Sequence, residues 1–369
     1  MAYGTVNADV IGTSVAGSNL GAGNASTMKN RLINGACVID QRNAGASVTP
    51  ANNQYLVDRW QATLTQASKY TAQQNAGSVT PPVGFSNYLG ITSSSSYSVT
   101  STDNFTVLQN IEGFNISDLG WGTAQAKTVC LGFQVYSSLT GTFGGSISNN
   151  SVNRSYPFTY SIPVANTWTT ISVTIPGDTT GTWLTNNGIG ARVWFSLGCG
   201  STFSGTAGSW SANDYRSATG ATSVVGTSGA TFYITGVQLE VGSSATGFEY
   251  RQYQQELALC QRYYTKNQQI SGSYTLFGLG WAQSATELFT YIKLPVAIRA
   301  APTVSYNNLI IGNNAVSPPV TSIVSQGYGT DSMRVSFAAS AGGLTPGGVY
   351  GLIANVSSTT SYVDFSAEL

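Results

Sequence analysis

The 369-residue chain contains no histidine. That excludes a Ser-His-Asp triad, a Cys-His dyad and every His-ligated metal site. Carboxylates and lysines are left for acid and base work. Asp58, in YLVDRW, lies in phase with Leu56, Trp60, Ala62 and Leu64 and is expected on a buried face. A lone buried carboxylate costs several kcal/mol and needs a partner. Arg42 is the candidate, and a structural ion pair is expected rather than a catalytic acid. Glu240, Glu249, Arg251, Glu256 and Arg262 form a second charged group. On a helix, Glu256 meets a base three or four positions away. Neither Arg251 nor Arg262 stands at that offset, so these arginines are expected to bind carbonyls or carboxylates elsewhere. A glycosidase needs two carboxylates about 5 to 10 Å apart. The 15 acidic residues offer no diagnostic pair, so no catalytic residue is assigned and no enzyme is expected.

Cys37, Cys130, Cys199 and Cys260 are far apart, with no CxxC spacing, so free buried thiols are expected rather than a zinc site. No Asp-x-Asp-x-Asp-Gly loop occurs, and no metal or other cofactor is expected, although oxygen ligands for calcium stay open. Sugar contact is the remaining chemistry: an aromatic ring stacks on a pyranose face while Asn and Asp bond its hydroxyls. GSWSANDYR brings together Trp210, Asn213, Asp214 and Tyr215, and Tyr306, Asn308, Tyr328 and Asp331 stand near turns further on. These eight are the candidate glycan contacts, and the same rings would also suit a subunit interface. Segments of the Phe-Ser-Asn-Tyr kind are expected to be poor platforms.

The elements that must carry these residues are strands. Charged residues make up 8% of the chain, against roughly 25% in an ordinary globular protein. The 15 basic and 15 acidic residues cancel, which argues against nucleic-acid binding and against polybasic attachment to membranes. No run of apolar residues is long enough to insert in a bilayer, and MAYGTVNADV has no signal-peptide pattern. The 42 Gly and 20 Tyr, with 41% hydrophobic residues, point to an all-β chain with polar, uncharged loops. TVCLGFQVY, WTTISVTIP and GARVWFSLG alternate with period two, the pattern of half-buried strands in a sandwich or jelly roll. In TFYITGVQLEV the apolar phase slips across Gly236, which predicts a β-bulge there. Residues 250–266 change period. Tyr253, Leu257, Cys260 and Tyr264 form a helical stripe, and strands return afterwards.

The expected fold is therefore an all-β jelly-roll β-sandwich, one short linking helix and a smaller C-terminal β-sandwich. The expected boundaries are 1–28 for an extended segment, 29–249 for the jelly roll, 250–267 for the helix and linker, and 268–369 for the distal domain. The first segment has one apolar patch, Val6, Val10 and Ile11, too small for a core of its own, and is expected to gain order on a partner.

Three stretches carry a resemblance. RLINGACVIDQRNAG (31–45), YLVDRW (55–60) and VQLEVGSSATGFEYRQYQQELALCQRYY (237–264) resemble a family of bacteriophage virion proteins described as tail-fibre or tail-appendage proteins. In this sequence the matching positions are Asn34, Gly35, Gln41, Arg42, Asp58, Arg59, Trp60, Glu249, Arg251, Cys260 and Arg262. The resemblance spans residues 1–266 and is specific in its framing motifs, whereas 65–230 matches in strand pattern alone. It implies a strand through the Asn-Gly…Gln-Arg motif, a structural virion component, a homotrimer, and docking to other virion proteins through Val6, Val10 and Ile11. It also implies contact with host-surface glycan through the β domains. A capsid decoration or head-fibre protein of the same fold is the alternative, and a polysaccharide depolymerase is a further one.

Overall fold

The computed structural model describes residues 29–269, 274–313, 316–329, 331–355 and 360–369. The expected docking residues Val6, Val10 and Ile11 lie outside these. Where apolar and polar residues alternate, strands form. Val129, Leu131, Phe133 and Val135 are buried, whereas Gly132, Gln134 and Tyr136 between them are half-buried. The chain divides into two units. Among the described residues, one holds 29–37, Ser47–Gln54 and Trp60–Tyr250, and the other Val38–Ala46, Tyr55–Arg59 and those from Arg251 to Leu369.

The first unit is a sandwich of two antiparallel sheets. One contains β1 (Trp60–Leu64), β4 (Asn104–Glu112), β9 (Ile189–Cys199), β6 (Gly141–Ser148) and β7 (Ser155–Ile162), in that spatial order. The other contains β2 (Tyr70–Gln74), β3 (Leu89–Ser93), β10 (Thr231–Val241), β5 (Val129–Ser137) and β8 (Thr169–Ile175). The chain passes from one sheet to the other at seven of the nine connections, the pattern of a jelly roll. Inward residues of the two sheets meet in a shared core. Phe133 and Phe195 touch edge to face at 5.1 Å, and Phe143 lies 6.2 Å from Phe232. Each such fully buried ring stabilises the fold by about 1.5–3 kcal/mol.

β10 carries the expected bulge: its register with β5 shifts between Thr235 and Gln238, and Gly236 sits at φ 62°. Beyond the bulge the segment 30–37 runs beside β10. Val237 donates its N–H to the Gly35 carbonyl at 2.9 Å, and Arg31 donates to the Leu239 carbonyl at 3.0 Å. A Cβ on Gly35 would stand 2.1 Å from the Val237 oxygen, so this approach requires glycine. The expected strand through Asn34–Arg42 is absent. Asn34 and Cys37 take left-handed φ values of 57° and 54°, and the segment is turn and coil.

The second unit contains α1 (Tyr253–Gln261), then β11 (Tyr264–Gln268), β12 (Leu276–Ser284), β13 (Glu287–Lys293), β14 (Thr303–Asn307), β15 (Leu309–Gly312), β16 (Val320–Tyr328), β17 (Ser332–Ala339), β18 (Val349–Ala354) and β19 (Tyr362–Ser366). A three-stranded sheet, β11-β19-β14, and a six-stranded sheet, β15-β18-β12-β13-β17-β16, enclose a core that includes Leu288, Ile292, Phe337, Leu352 and Phe365. This division differs from the expected boundaries: the helix belongs to the second unit, as do 38–46 and 55–59 from the framing motifs. The helix is also shorter than expected, because the β-prone run from Tyr263 to Thr265 leads into β11. Its buried residues are Glu256 and Cys260, whereas Tyr253, expected on the inner stripe, is 59% exposed. Among the described residues no helix is long and apolar enough to cross a membrane.

Candidate functional site

The outer face of the β10 sheet holds a groove built on the glycine bulge. Gly236 has no side chain, so the Phe85 ring settles over the strand; a Cβ there would lie 2.6 Å from its Cζ. Phe85, Phe248 and Tyr250 enclose one another, with ring centroids 5.1 Å apart for Phe85–Phe248, 5.7 Å for Phe85–Tyr250 and 5.1 Å for Phe248–Tyr250. Gly132, Gln134 and Gln238 lie beside these rings, and the groove has a volume of about 250 Å³. Tyr250 is 62% exposed, so the aromatic wall faces solvent.

Polar groups behind the groove fix its shape. Gln238 donates to Glu240 at 2.9 Å and accepts the Glu249 N–H at 2.8 Å, which sets the strand end beside Phe248. Glu240 accepts the N–H and the hydroxyl of Thr246, each at 2.7 Å. Gln134 accepts the Thr170 hydroxyl at 3.0 Å, and its side-chain NH₂ has no partner among the described residues. No charged side chain lines the groove. Beside it, Tyr233 stacks between Tyr88 at 5.1 Å and Tyr136 at 5.3 Å, a largely buried pile that stiffens the sheet. Rings at the wall and an amide donor at the floor can hold a sugar: the rings cover apolar C–H faces, and the amide binds a hydroxyl.

The predicted glycan residues fall elsewhere. Trp210 packs 5.6 Å from both Trp121 and Trp183, and its indole N–H donates to the Pro176 carbonyl at 2.8 Å. Asn213 donates to Ser211 and accepts from Ser155, and the Tyr215 ring packs against Gly205. Asp214 forms a two-point pair with Arg216, whose guanidinium stacks 5.0 Å over Trp194. In the second unit, Tyr306 packs edge-on to Phe337 at 6.0 Å, and Asn308, at φ 50°, donates to the Thr360 hydroxyl. Tyr328 is exposed, and Asp331 pairs with Lys293. GSWSANDYR thus supplies packing and turn contacts to the first unit.

The framing motifs divide between the units. In the first, the Trp60 indole donates to the Asn34 carbonyl at 3.0 Å, Gly35 meets β10, and Glu249 accepts the Asn30 N–H at 2.9 Å. In the second, Arg42 and Arg59 both end on Glu368. Their guanidiniums stack at 3.7 Å over Tyr264 and 3.6 Å over Tyr263. Burial works against the Arg59 charge, but Glu368, Tyr263, Tyr55 and Cys260 together outweigh it, so the arginine pKa is raised. The expected Asp58–Arg42 pairing is replaced. Asp58 is fully buried and accepts the backbone N–H and the side-chain NH₂ of Gln41, both at 2.7 Å, while Arg42 reaches Glu368 at 2.7 Å. Burial pushes the Asp58 carboxyl up to about 6 against the influence of Arg42 and Gln41. Arg251 lies before the helix rather than on it, so it reaches Glu256 at 3.4 Å despite the sequence offset. Arg262 caps the helix, donating its N–H to the Ala258 carbonyl, and Cys260 is fully buried.

The groove residues Phe85, Gln134, Phe248 and Tyr250 were not singled out from the sequence. Phe85 lies in the Phe-Ser-Asn-Tyr segment expected to be a poor platform, and the available signal was the bulge at Gly236, which makes room for its ring.

No protein-family model matches the sequence, and no curated protein matches it. Solved structures align with part of the chain at low identity and low TM-score. One is the enzymatically active domain of tailspike protein 4 of bacteriophage CBA120 (15% identity, TM-score 0.31), where 58% of this chain aligns with 21% of that one. Another is a putative sugar-binding protein from Bacteroides thetaiotaomicron (12% identity, TM-score 0.33, 58% of this chain and all of that one). A third is a family 11 carbohydrate-binding module from Clostridium thermocellum (13% identity, TM-score 0.27, 54% and 96%). This chain spans about a fifth of the tailspike domain it matches.

Proposed function

We propose that this chain is a non-enzymatic, glycan-binding protein of a bacteriophage particle, and that the groove of the first unit takes a neutral sugar. The observation that carries the glycan reading is the wall of Phe85, Phe248 and Tyr250 beside the unpaired NH₂ of Gln134. The uncharged lining supports a neutral ligand, and it lacks the paired carboxylates that glycoside hydrolysis requires. The virion role rests on the framing motifs, as does assembly into a trimer. Three weak sites on one particle component would add up by avidity.

The test is affinity electrophoresis of the full chain in gels that contain neutral polysaccharides of the host surface, with Phe85→Ala/Tyr250→Ala alongside. Retention of the wild type is expected. Each lost ring contact is worth about 1 kcal/mol, so the double variant should bind about ten-fold more weakly or worse. The bound polysaccharide should keep its chain length. Shortening that stops when a carboxylate is replaced would establish a depolymerase instead, and unchanged retention by the double variant would remove the groove from the reading.

A further inference from the structure

The open face of the six-stranded sheet in the second unit carries a patch that the groove leaves unexplained. Strand alternation turns Leu288, Thr290 and Ile292 into the core and Phe289 and Tyr291 outward. Register then places Trp281 across from Phe289, and Tyr291 between Leu279 on β12 and Arg334 on β17. Leu279 is 56% exposed, Trp281 49%, Tyr291 56% and Val349 69%. An apolar cluster of this kind on a soluble surface marks a binding site more often than chance. The rings are held in place: Trp281 meets Phe289 edge to face at 5.9 Å, and the Arg334 guanidinium stands 4.9 Å over the Phe289 ring. Gly327 and Gly351 flank the Leu279–Tyr291–Arg334 row, so no side chain rises at either end of it.

The charges on this face are unequal. Lys293 is paired with Asp331, and Glu287 accepts the Ser336 hydroxyl. Arg334 is exposed and has neither hydrogen bond nor ion pair among the described residues. An apolar partner laid on this face would bury that cation unpaired, at a high cost. A second copy packed two-fold on the same patch would bring Arg334 against uncharged rings or against its own counterpart. A carboxylate answers it, because guanidinium and carboxylate form two parallel charge-assisted hydrogen bonds.

We propose that this face binds an acidic polysaccharide, with sugar rings across Trp281 and Tyr291 and a uronate carboxylate on Arg334. This site is independent of the groove. The test uses the full chain in affinity electrophoresis and titration calorimetry with polygalacturonate and with its methyl ester, which keeps the rings and removes the charge. The expected result is retention by polygalacturonate, weakened about ten-fold or more by esterification and equally by Arg334→Gln, the loss of one charge-assisted pair. Trp281→Ala should weaken both polymers, and Phe85→Ala/Tyr250→Ala should leave polygalacturonate binding unchanged, which separates this site from the groove. Trp281 and Arg334 are exposed, so thermal melting of their variants should not move. Absence of polygalacturonate binding, or binding indifferent to Arg334→Gln, overturns the proposal. So does a change in sedimentation mass on Trp281→Ala, which would make the face an interface between copies.

Discussion

Asp103 in the first unit and Asp58 in the second are both buried carboxylates, and their environments drive them in opposite directions. Burial pushes each of them up. Asp103 meets four neutral donors, the Thr100 N–H and the hydroxyls of Thr100, Thr65 and Tyr97, at 2.7–2.9 Å. Together they overcome burial and hold it at about 2. Asp58 has the two donors of Gln41 and the nearby charge of Arg42, but it is more deeply buried and Glu368 repels it, so it stays at about 6. Arg42 and Arg59 beside it bind Glu368. In a chain this poor in charge, Arg42, Arg59 and Arg251 of the framing motifs are committed to carboxylates within the second unit, whereas Glu249 braces the first.

Glu368 is where this contrast breaks most visibly. Glu368→Ala removes the carboxylate shared by Arg42 and by the fully buried Arg59. Breaking a buried pair costs about 3–5 kcal/mol. Chemical denaturation followed by probes in each unit should show that loss in the second unit and none in the first. A loss under about 1 kcal/mol would mean that the remaining contacts of the arginines, tyrosine stacking among them, hold them without Glu368.

The next largest effect follows pH. The Asp58 pKa is raised in the folded chain above its ordinary 3.8, so the fold holds a proton that the unfolded chain releases. Its contribution to stability is complete below about pH 4 and is lost as pH rises through about 6, a difference of about 3 kcal/mol. Asp103 has the opposite sign: its contribution is present above about pH 4 and lost as pH falls toward 2. Denaturation of wild type and Asp58→Asn between pH 4 and 7 isolates the first. The variant should lack the component of slope that weakens the wild type as pH rises, and parallel curves would refute the raised value.

Local rules were readable in the sequence and long-range pairings were not. The bulge at Gly236 showed as a slip in apolar phase because the cause is local, a side chain missing from an alternating strand. Burial of Asp58 showed too, although not through alternation: Asp58 and Arg59 form a turn, with Arg59 at φ 71°, and Val57 and Arg59 are equally buried. The partner of Asp58 did not show, because Arg42 is drawn away by Glu368, more than 300 residues along the chain. Arg251 reaches Glu256 because the helix begins at Tyr253, and that boundary depends on packing rather than on spacing. The groove was hidden for a similar reason: Phe85 and Tyr250 meet across 165 positions, whereas Trp210 looked like a sugar platform among polar neighbours and is spent on Trp121 and Trp183.

The smallest expected effect is the one that reports on both units at once. All four cysteines are free. Burial pushes the Cys199 thiol up to about 11 and raises Cys130, and Cys260 is raised further by burial and by the carboxylates of Asp58 and Glu256. Little thiolate is available near neutral pH, so reaction has to await opening of the fold. Reductant should leave the melting temperature within about 1 °C, and a larger fall would reveal a disulfide. Thiol labelling of the native chain should be slow at Cys130 in the first unit and at Cys260 in the second. In Glu368→Ala, Cys260 should label faster while Cys130 keeps its rate, because the lost carboxylate lies in the charge cluster around Cys260. Equal acceleration at both cysteines would mean that the units open together, and the contrast between Asp103 and Asp58 would then describe two sites in one cooperative fold.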